Sequence, residues 1–298
     1  MDEFYISTLG DYISTLERLK KQYYSHGNPS AVTNIYRGLS NKEYLLLPSL
    51  FRTQDDRYNF DEITPEYVTN DRYLSYGNEK AILRSFIHEA SRFVNLPSSE
   101  LLRWAEYAQH YGVPTRLLDW TSNALVALYF ACKTNLEKDG KVWLLHLKNY
   151  DRIRYELQPK ALRDLTKDDA MKELLDGKVE QQYPIVYTPY YVDNRMSAQS
   201  SFFMCWGSIK KPFEELFSDH KYQMVLPEEN PKVRTFGKHE DEALLFCFYI
   251  YADRKPFIMR ELDTLGINEK TLFPGLDGIG RYVEQRFRFN YNEYVSSI

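Results

Sequence analysis

Nine consecutive residues, Ala124 to Cys132 (ALVALYFAC), carry no charged or amide side chain. A helix over about Ser122–Thr134 is therefore apolar nearly all round and has no face to offer water. It is far shorter than the roughly 18 residues that a membrane-spanning helix needs. The rest of the chain must bury it from several sides. Only a layered protein with this helix near its centre meets that demand. With 298 residues, 43% of them hydrophobic, the chain has the material for such a core without disulfides or metal staples.

The elements around that helix follow from periodicity. Residues 2–24 place Leu9, Tyr12, Ile13, Leu16, Leu19 and Tyr23 at helical spacing, and Gly27-Asn28-Pro29 stops the run. A strand is expected over Thr33–Arg37. Residues 79–93 form a helix striped by Ile82, Leu83, Phe86 and Ala90, and Ser98 or Ser99 is placed to cap a second one through Leu101, Trp104, Ala105 and Ala108. Lys141–Leu147, Ile185–Tyr191, Phe202–Trp206 and Leu244–Tyr251 read as strands, and Lys255–Leu265 as a helix ended by Gly266. Gly275, Gly278 and Gly280 read as a turn ahead of a last amphipathic helix. This uneven alternation predicts an α+β fold, a single domain with a mixed, mostly antiparallel sheet flanked by helices. The expected organisation is an N-terminal helical segment over 1–29 and one domain over 30–289, with polar insertions near 53–78 and 150–183.

Several classes lose ground. A net charge of −4 argues against long nucleic acid as a partner. The opening MDEFYISTLGDY has no charged-then-apolar leader, and Cys132, Cys205 and Cys247 are scattered in apolar segments. A cytoplasmic protein without disulfides or membrane anchor is expected. There is no Walker loop, GxSxG elbow, HExxH helix or CxxC pair, so no metal ligand set stands out.

Residues 108–123 (AQHYGVPTRLLDWTSN) are where chemistry concentrates. Gln109, His110, Thr115, Arg116, Asp119, Thr121, Ser122 and Asn123 crowd eight polar side chains into what reads as a loop between two apolar helices. Structural roles exist for each of the main ones. Thr121 or Asp119 could cap the apolar helix, Arg116 and Asp119 could pair, and His110 could close a helix end. An arginine fork equally suits a carboxylate or a phosphate. Such density between helices favours a site.

These stretches resemble a known family. Tyr36-Arg37-Gly38, Tyr44–Arg52 (YLLLPSLFR) and the run QHYGVPTRLLDWT are similar to the FRG domain, named for an N-terminal (F/Y)RG motif. Asn194-Arg195-Met196, Gln199–Phe202, Leu265-Gly266-Ile267 and Leu272–Gly278 (LFPGLDG) extend the likeness, so that it spans roughly residues 30–285. The resemblance implies a bacterial defence or toxin-like setting, with a protein partner among the expectations, and leaves the activity open.

A second resemblance, to Arg-Ser-Glu ADP-ribosyltransferases, rests on residue order. Arg37 ends the first predicted strand, and Thr121-Ser122 leads into Ala127–Ala131 (ALYFA). That likeness implies NAD as ligand or substrate. Arg37 would hold a phosphate or the nicotinamide ribose, Thr121 or Ser122 would steady the ribose, and an acid would stabilise oxocarbenium charge. Glu242, in Glu240-Asp241-Glu242, has the expected Glu-x-Glu spelling, although three acids before a strand also make a plain solvated turn. Gln199 is equally well placed by order. Its amide could bond a ribose but supply no charge, which would leave a binding fold. The expected cleft thus has Arg37, Thr121 and Glu242 as its catalytic set. Tyr36, Gly38, Gln109, His110, Arg116, Asp119, Ser122 and Gln199 would contact the ligand, with Tyr36, Tyr111 and Trp120 as aromatic walls. The rival expectation is a non-catalytic nucleotide- or nucleic-acid-sensing module.

Overall fold

The computed structural model describes residues 5–23, 34–52, 76–167, 169–190, 193–217, 224–225, 234–236 and 244–296. Among these, nine strands make one sheet: β1 (Tyr5–Ile6), β2 (Asn34–Leu39), β3 (Leu117–Thr121), β4 (Gly140–His146), β5 (Ile185–Tyr187), β6 (Ser201–Cys205), β7 (Met224–Val225), β8 (Arg234–Phe236) and β9 (Leu245–Ile250). Their order is β5-β6-β3-β2-β4-β9-β8-β7, every neighbouring pair antiparallel. The short β1 runs parallel to Tyr249–Ile250 of β9, beside the stretch that β8 leaves free. The fold is α+β, with a mixed and mostly antiparallel sheet.

The helices are α1 (Leu9–Tyr23), α2 (Tyr76–Ala90), α3 (Leu101–His110), α4 (Ala124–Cys132), α5 (Leu147–Leu157), α6 (Ala170–Leu175), α7 (Asn194–Ala198), α8 (Lys255–Thr264), α9 (Glu269–Leu272) and α10 (Leu276–Ser296). One face of β4 and β9 presents Val142, Leu144, Phe246, Phe248 and Ile250 to a core shared with α1, α4, α8 and α9. The same face of β3, β5 and β6 presents Leu117, Tyr187, Phe203 and Cys205 to α2, α3 and α6. The opposite face, with Leu118, Trp120, Trp143, Leu145 and Cys247, is covered by α5, by residues 44–51 and by the Phe213–Phe217 turn. The apolar α4 is the hub of the first core, with Val126 to Tyr129 and Ala131 to Cys132 all buried.

Several expectations change. Leu117–Thr121 is a central strand rather than loop, because only Asp119 of its five residues reaches solvent. The cap of α4 is Asn123, whose Oδ1 accepts from the Leu125 and Val126 amides at 2.9 and 3.4 Å. Neither Thr121 nor Asp119 caps it. Ser98 and Ser99 do not cap α3 either, since Glu100 stands at that position without a side-chain bond. Gly278 and Gly280 lie inside α10 and form no turn. A Cβ at Gly278 would sit 1.9 Å from the Phe273 carbonyl oxygen, so the close approach of the chain that leads into α10 explains this glycine. The three cysteines are free and buried. No helix among the described residues is long and apolar enough to cross a membrane.

Candidate functional site

The sheet comes close to splitting between β2 and β3. β2 pairs with β4 along its whole length and β3 with β6 along its whole length, yet β2 and β3 share a single register pair, Tyr36 with Thr121. Beyond that pair the strands diverge, and a cavity of about 500 Å³ fills the notch. Side-chain alternation supplies its walls from both faces. Tyr36, Asp119, Thr121, Ser201 and Phe203 come from one face, and Arg37, Leu39 and Trp120 from the other. α4 adds Val126, Ala127 and Phe130 as a lid. Gly38 permits that closeness: a Cβ there would lie 1.8 Å from the Ala127 carbonyl oxygen. The rim is tied by the buried Lys255, whose ammonium donates to the carbonyls of Ser40 and Asn135 at 2.6 and 2.8 Å.

Arg37 occupies the notch itself. Its Nη1 donates to the Asp119 carbonyl, so a side chain bridges where the strand ladder has stopped. The Asp119 carboxylate lies 4.0 Å away, and the buried Nε has no partner. Burial lowers the guanidinium pKa to about 10, with Asp119 pulling the other way, which leaves it cationic at neutral pH. Asp119 is held from its other side. Gln109 donates Nε2 to Oδ2 at 2.8 Å, and its Oε1 accepts from Thr115 Oγ1 at 2.6 Å. His110 bonds Asp193 through Nε2 at 2.5 Å. Burial pushes the imidazole pKa down against the pull of Asp193. A neutral ring donating from Nε2 leaves Nδ1 as an acceptor.

Eight of the eleven residues singled out from sequence line this one cavity: Tyr36, Arg37, Gly38, Gln109, His110, Asp119, Thr121 and Gln199. The hydroxyl of Thr121 is already engaged, donating to the Gln199 carbonyl at 2.6 Å and accepting from the Asn123 amide at 3.0 Å. Gln199 likewise spends its Nε2 on the Leu272 carbonyl at 3.0 Å. Ser122 stands outside the cavity lining, its amide bonded to the Ser200 carbonyl. Arg116 does not pair with Asp119. It lies fully buried away from the notch, with Nε 3.0 and 2.9 Å from the Glu79 carboxylate oxygens. Alternation along β3 and the entry of α2 decide that choice, and it makes Arg116 a scaffold residue. Tyr111 is exposed and packs edge-on against His110, so it is no wall of the cavity. Glu242 lies outside the described residues, as does most of the 53–78 insertion.

Among the cavity residues that sequence reasoning did not single out are Arg52, Lys133, Arg195 and Phe273. Arg52, Arg195 and Phe273 sit in stretches that resemble the FRG domain, and that was the signal available. Arg37, Arg52, Lys133 and Arg195 give the described lining four cations, beside the neutral His110, against the single carboxylate of Asp119. Lys133 is neutralised by Glu269 at 2.9 Å. Burial would raise Glu269, yet Tyr129, Lys133 and Arg281 together hold its pKa below the usual carboxylate value. An electropositive notch with aromatic walls suits an anionic, partly planar ligand.

Among protein families, the model of the FRG domain matches residues 32–140. No curated protein and no solved structure matches the chain. The matched stretch carries β2, β3, α3 and α4, which build most of the notch.

Proposed function

Because the chain carries an FRG domain across residues 32–140, we propose that this domain uses the notch between β2 and β3 to hold an NAD-like nucleotide. The observation that carries the reading is the lining itself: four cationic side chains and a neutral histidine against one carboxylate, between aromatic walls. Arg37 is the central phosphate ligand of this reading, because its guanidinium stands in the notch with its side chain still 16% exposed and donates to the Asp119 carbonyl. The pairing of Tyr36 with Thr121 keeps Arg37 and Thr121 well within one ligand's length, as the transferase-like order requires.

Cleavage of the nicotinamide–ribose bond would need a carboxylate beside the developing oxocarbenium ion. Asp119 is the one carboxylate in the described lining, and Glu242 is the acid that sequence order nominates. ADP-ribosyl transfer or NAD hydrolysis in a bacterial defence setting is the catalytic form of this reading. A sensing form is favoured by a separate observation. Thr121 and Gln199 already spend their polar groups on backbone partners, which suits a rigid receptor.

The test is calorimetric titration of NAD, with nicotinamide release followed in parallel, for the wild type, Arg37→Ala and Glu242→Gln. Binding weakened about tenfold or more in Arg37→Ala is expected, as for loss of a charged hydrogen bond. Nicotinamide release abolished in Glu242→Gln would mark an enzyme, and binding without release a sensor. A wild type that neither binds NAD nor turns it over sinks the reading.

A further inference from the structure

α10 has two faces, and the nucleotide reading uses neither. On its inner face Gly278 is buried, and Tyr282 and Gln285 are half-buried beside residues of α8 and α9. The opposite face is apolar and open to solvent. Leu276 is 87% exposed, Ile279 49%, Val283 45% and Phe287 71%. At about 3.6 residues per turn the four fall on one stripe, about 16 Å long. Four of the eleven large apolar side chains exposed among the described residues stand here, which makes the stripe a patch rather than scatter.

Spacing along the helix points to what covers it. Leu276, Gly280, Val283, Phe287, Asn290 and Tyr294 recur at alternating steps of four and three residues, the seam of a coiled coil. Gly280 falls on that seam. A Cβ there would meet nothing within 4 Å, so packing inside one copy does not call for a glycine in mid-helix. A facing helix uses the gap, because the missing side chain lets it come close. Charge then selects the direction of that helix. Asp277 and Glu284 lie on one flank of the seam and Arg286 on the other. In a parallel pair of identical helices, each flank faces the opposite flank of the partner, so acids meet the arginine-bearing side. In an antiparallel pair each flank faces itself, acid against acid. The inner face lies on the far side of α10, so the rest of each copy stands outside a parallel pair and leaves the seam clear.

We infer that α10 is a dimerisation element: a second copy of this chain covers the stripe through a parallel two-helix seam. Two such stripes bury on the order of 1,000 Å², the threshold of a specific interface, which makes the dimer a dissociable one. This inference stands apart from the nucleotide reading and does not depend on it.

The experiment is sedimentation equilibrium of the full chain from about 1 to 100 µM, for the wild type, Phe287→Glu and Glu284→Arg, with melting temperatures to confirm folding. Both positions are exposed, so the variants keep the fold. The seam predicts a wild-type dimer of twice 35.4 kDa at the upper concentrations. Phe287→Glu should weaken it about tenfold or more, as for loss of an aromatic anchor. Glu284→Arg should weaken it about threefold by setting arginine against arginine. In an antiparallel pair the same substitution would meet Asp277 and tighten the dimer. A wild type that stays monomeric at about 100 µM overturns the inference and leaves the stripe to another protein or a lipid surface. A dimer that Phe287→Glu leaves intact places the interface elsewhere and overturns it as well. A dimer lost in Phe287→Glu but tightened or unchanged in Glu284→Arg overturns the parallel pairing and keeps the stripe as the dimer surface.

Discussion

Arg116 is fully buried and Arg37 nearly so, with 16% of its side chain exposed, and the two differ in how their donors are satisfied. Arg116 sits just before β3 with its donors committed: Nε and Nη2 to Glu79, and Nη1 to the Trp206 carbonyl at 3.2 Å. Arg37 stands in the notch with one donor on a carbonyl, one carboxylate at the 4.0 Å limit of an ion pair, and a buried Nε that nothing meets. A buried charge is tolerated when its hydrogen bonds are made and is costly when they are not. The satisfied arginine therefore belongs to the scaffold. The under-satisfied one is the group that the nucleotide proposal puts to use.

The largest effect should come from breaking the satisfied pair. Arg116→Met leaves the Glu79 carboxylate buried and unpaired, and chemical denaturation should show a loss of about 3–5 kcal/mol. The double variant with Glu79→Leu should recover part of it, because no orphan charge then remains. Arg37→Gln should cost about 1 kcal/mol, the centre of the range for single substitutions, while removing nucleotide affinity. Equal losses of stability at the two positions would break the contrast.

The next largest concerns what holds the notch open. Gly38 has no room for a methyl group, because its Cβ would meet the Ala127 carbonyl oxygen at 1.8 Å and the Ala131 amide nitrogen at 2.7 Å. Both neighbours are backbone of α4, so the helix must move. Gly38→Ala should cost about 1–3 kcal/mol by overpacking. Ala127 lines the cavity, so ligand affinity should fall along with the melting temperature. A variant of unchanged stability and affinity would show that α4 is not the lid.

Much of this arrangement was legible in the sequence, and the failures have physical causes. The apolar α4 and the strand β9 announce themselves because burial on both sides leaves a long apolar run, and β4 is read from its alternation after the turn at Asp139-Gly140. Leu117–Thr121 did not, since five residues with Asp119 in the middle show neither clean alternation nor a turn signal. The partner of Arg116 was equally hidden. Glu79 is 37 residues away, and nothing local selects it over Asp119, three residues on. Arg195 escaped for the same reason, because the Phe273 ring it lies against is distant in sequence. Local periodicity reports burial, whereas partner choice is set by which elements the fold brings together.

The smallest effect tests whether lacking a partner is enough to mark a functional group. Glu106 on α3 is buried, neither of its carboxylate oxygens has a hydrogen-bond partner, and it is not part of the cavity lining. Burial raises its pKa to about 8, with Tyr187 and Arg103 pulling it back. In the unfolded chain the value is about 4.3. Between the two, the folded protein holds a proton that the unfolded chain has released, so stability falls as pH rises and levels off above about 8. The slope from this one group approaches about 1.4 kcal/mol per pH unit. Glu106→Gln stays neutral throughout, so denaturation at pH 6 and pH 7 should show wild type losing about 1.4 kcal/mol more than the variant over that step. Nucleotide affinity should be the same in both proteins. If instead Glu106→Gln weakens the ligand at pH 7, the Glu106 carboxyl itself acts on the notch through Gln109 and His110, one turn further along α3. The boundary between scaffold and site would then have to be drawn beneath α3 rather than at the cavity wall.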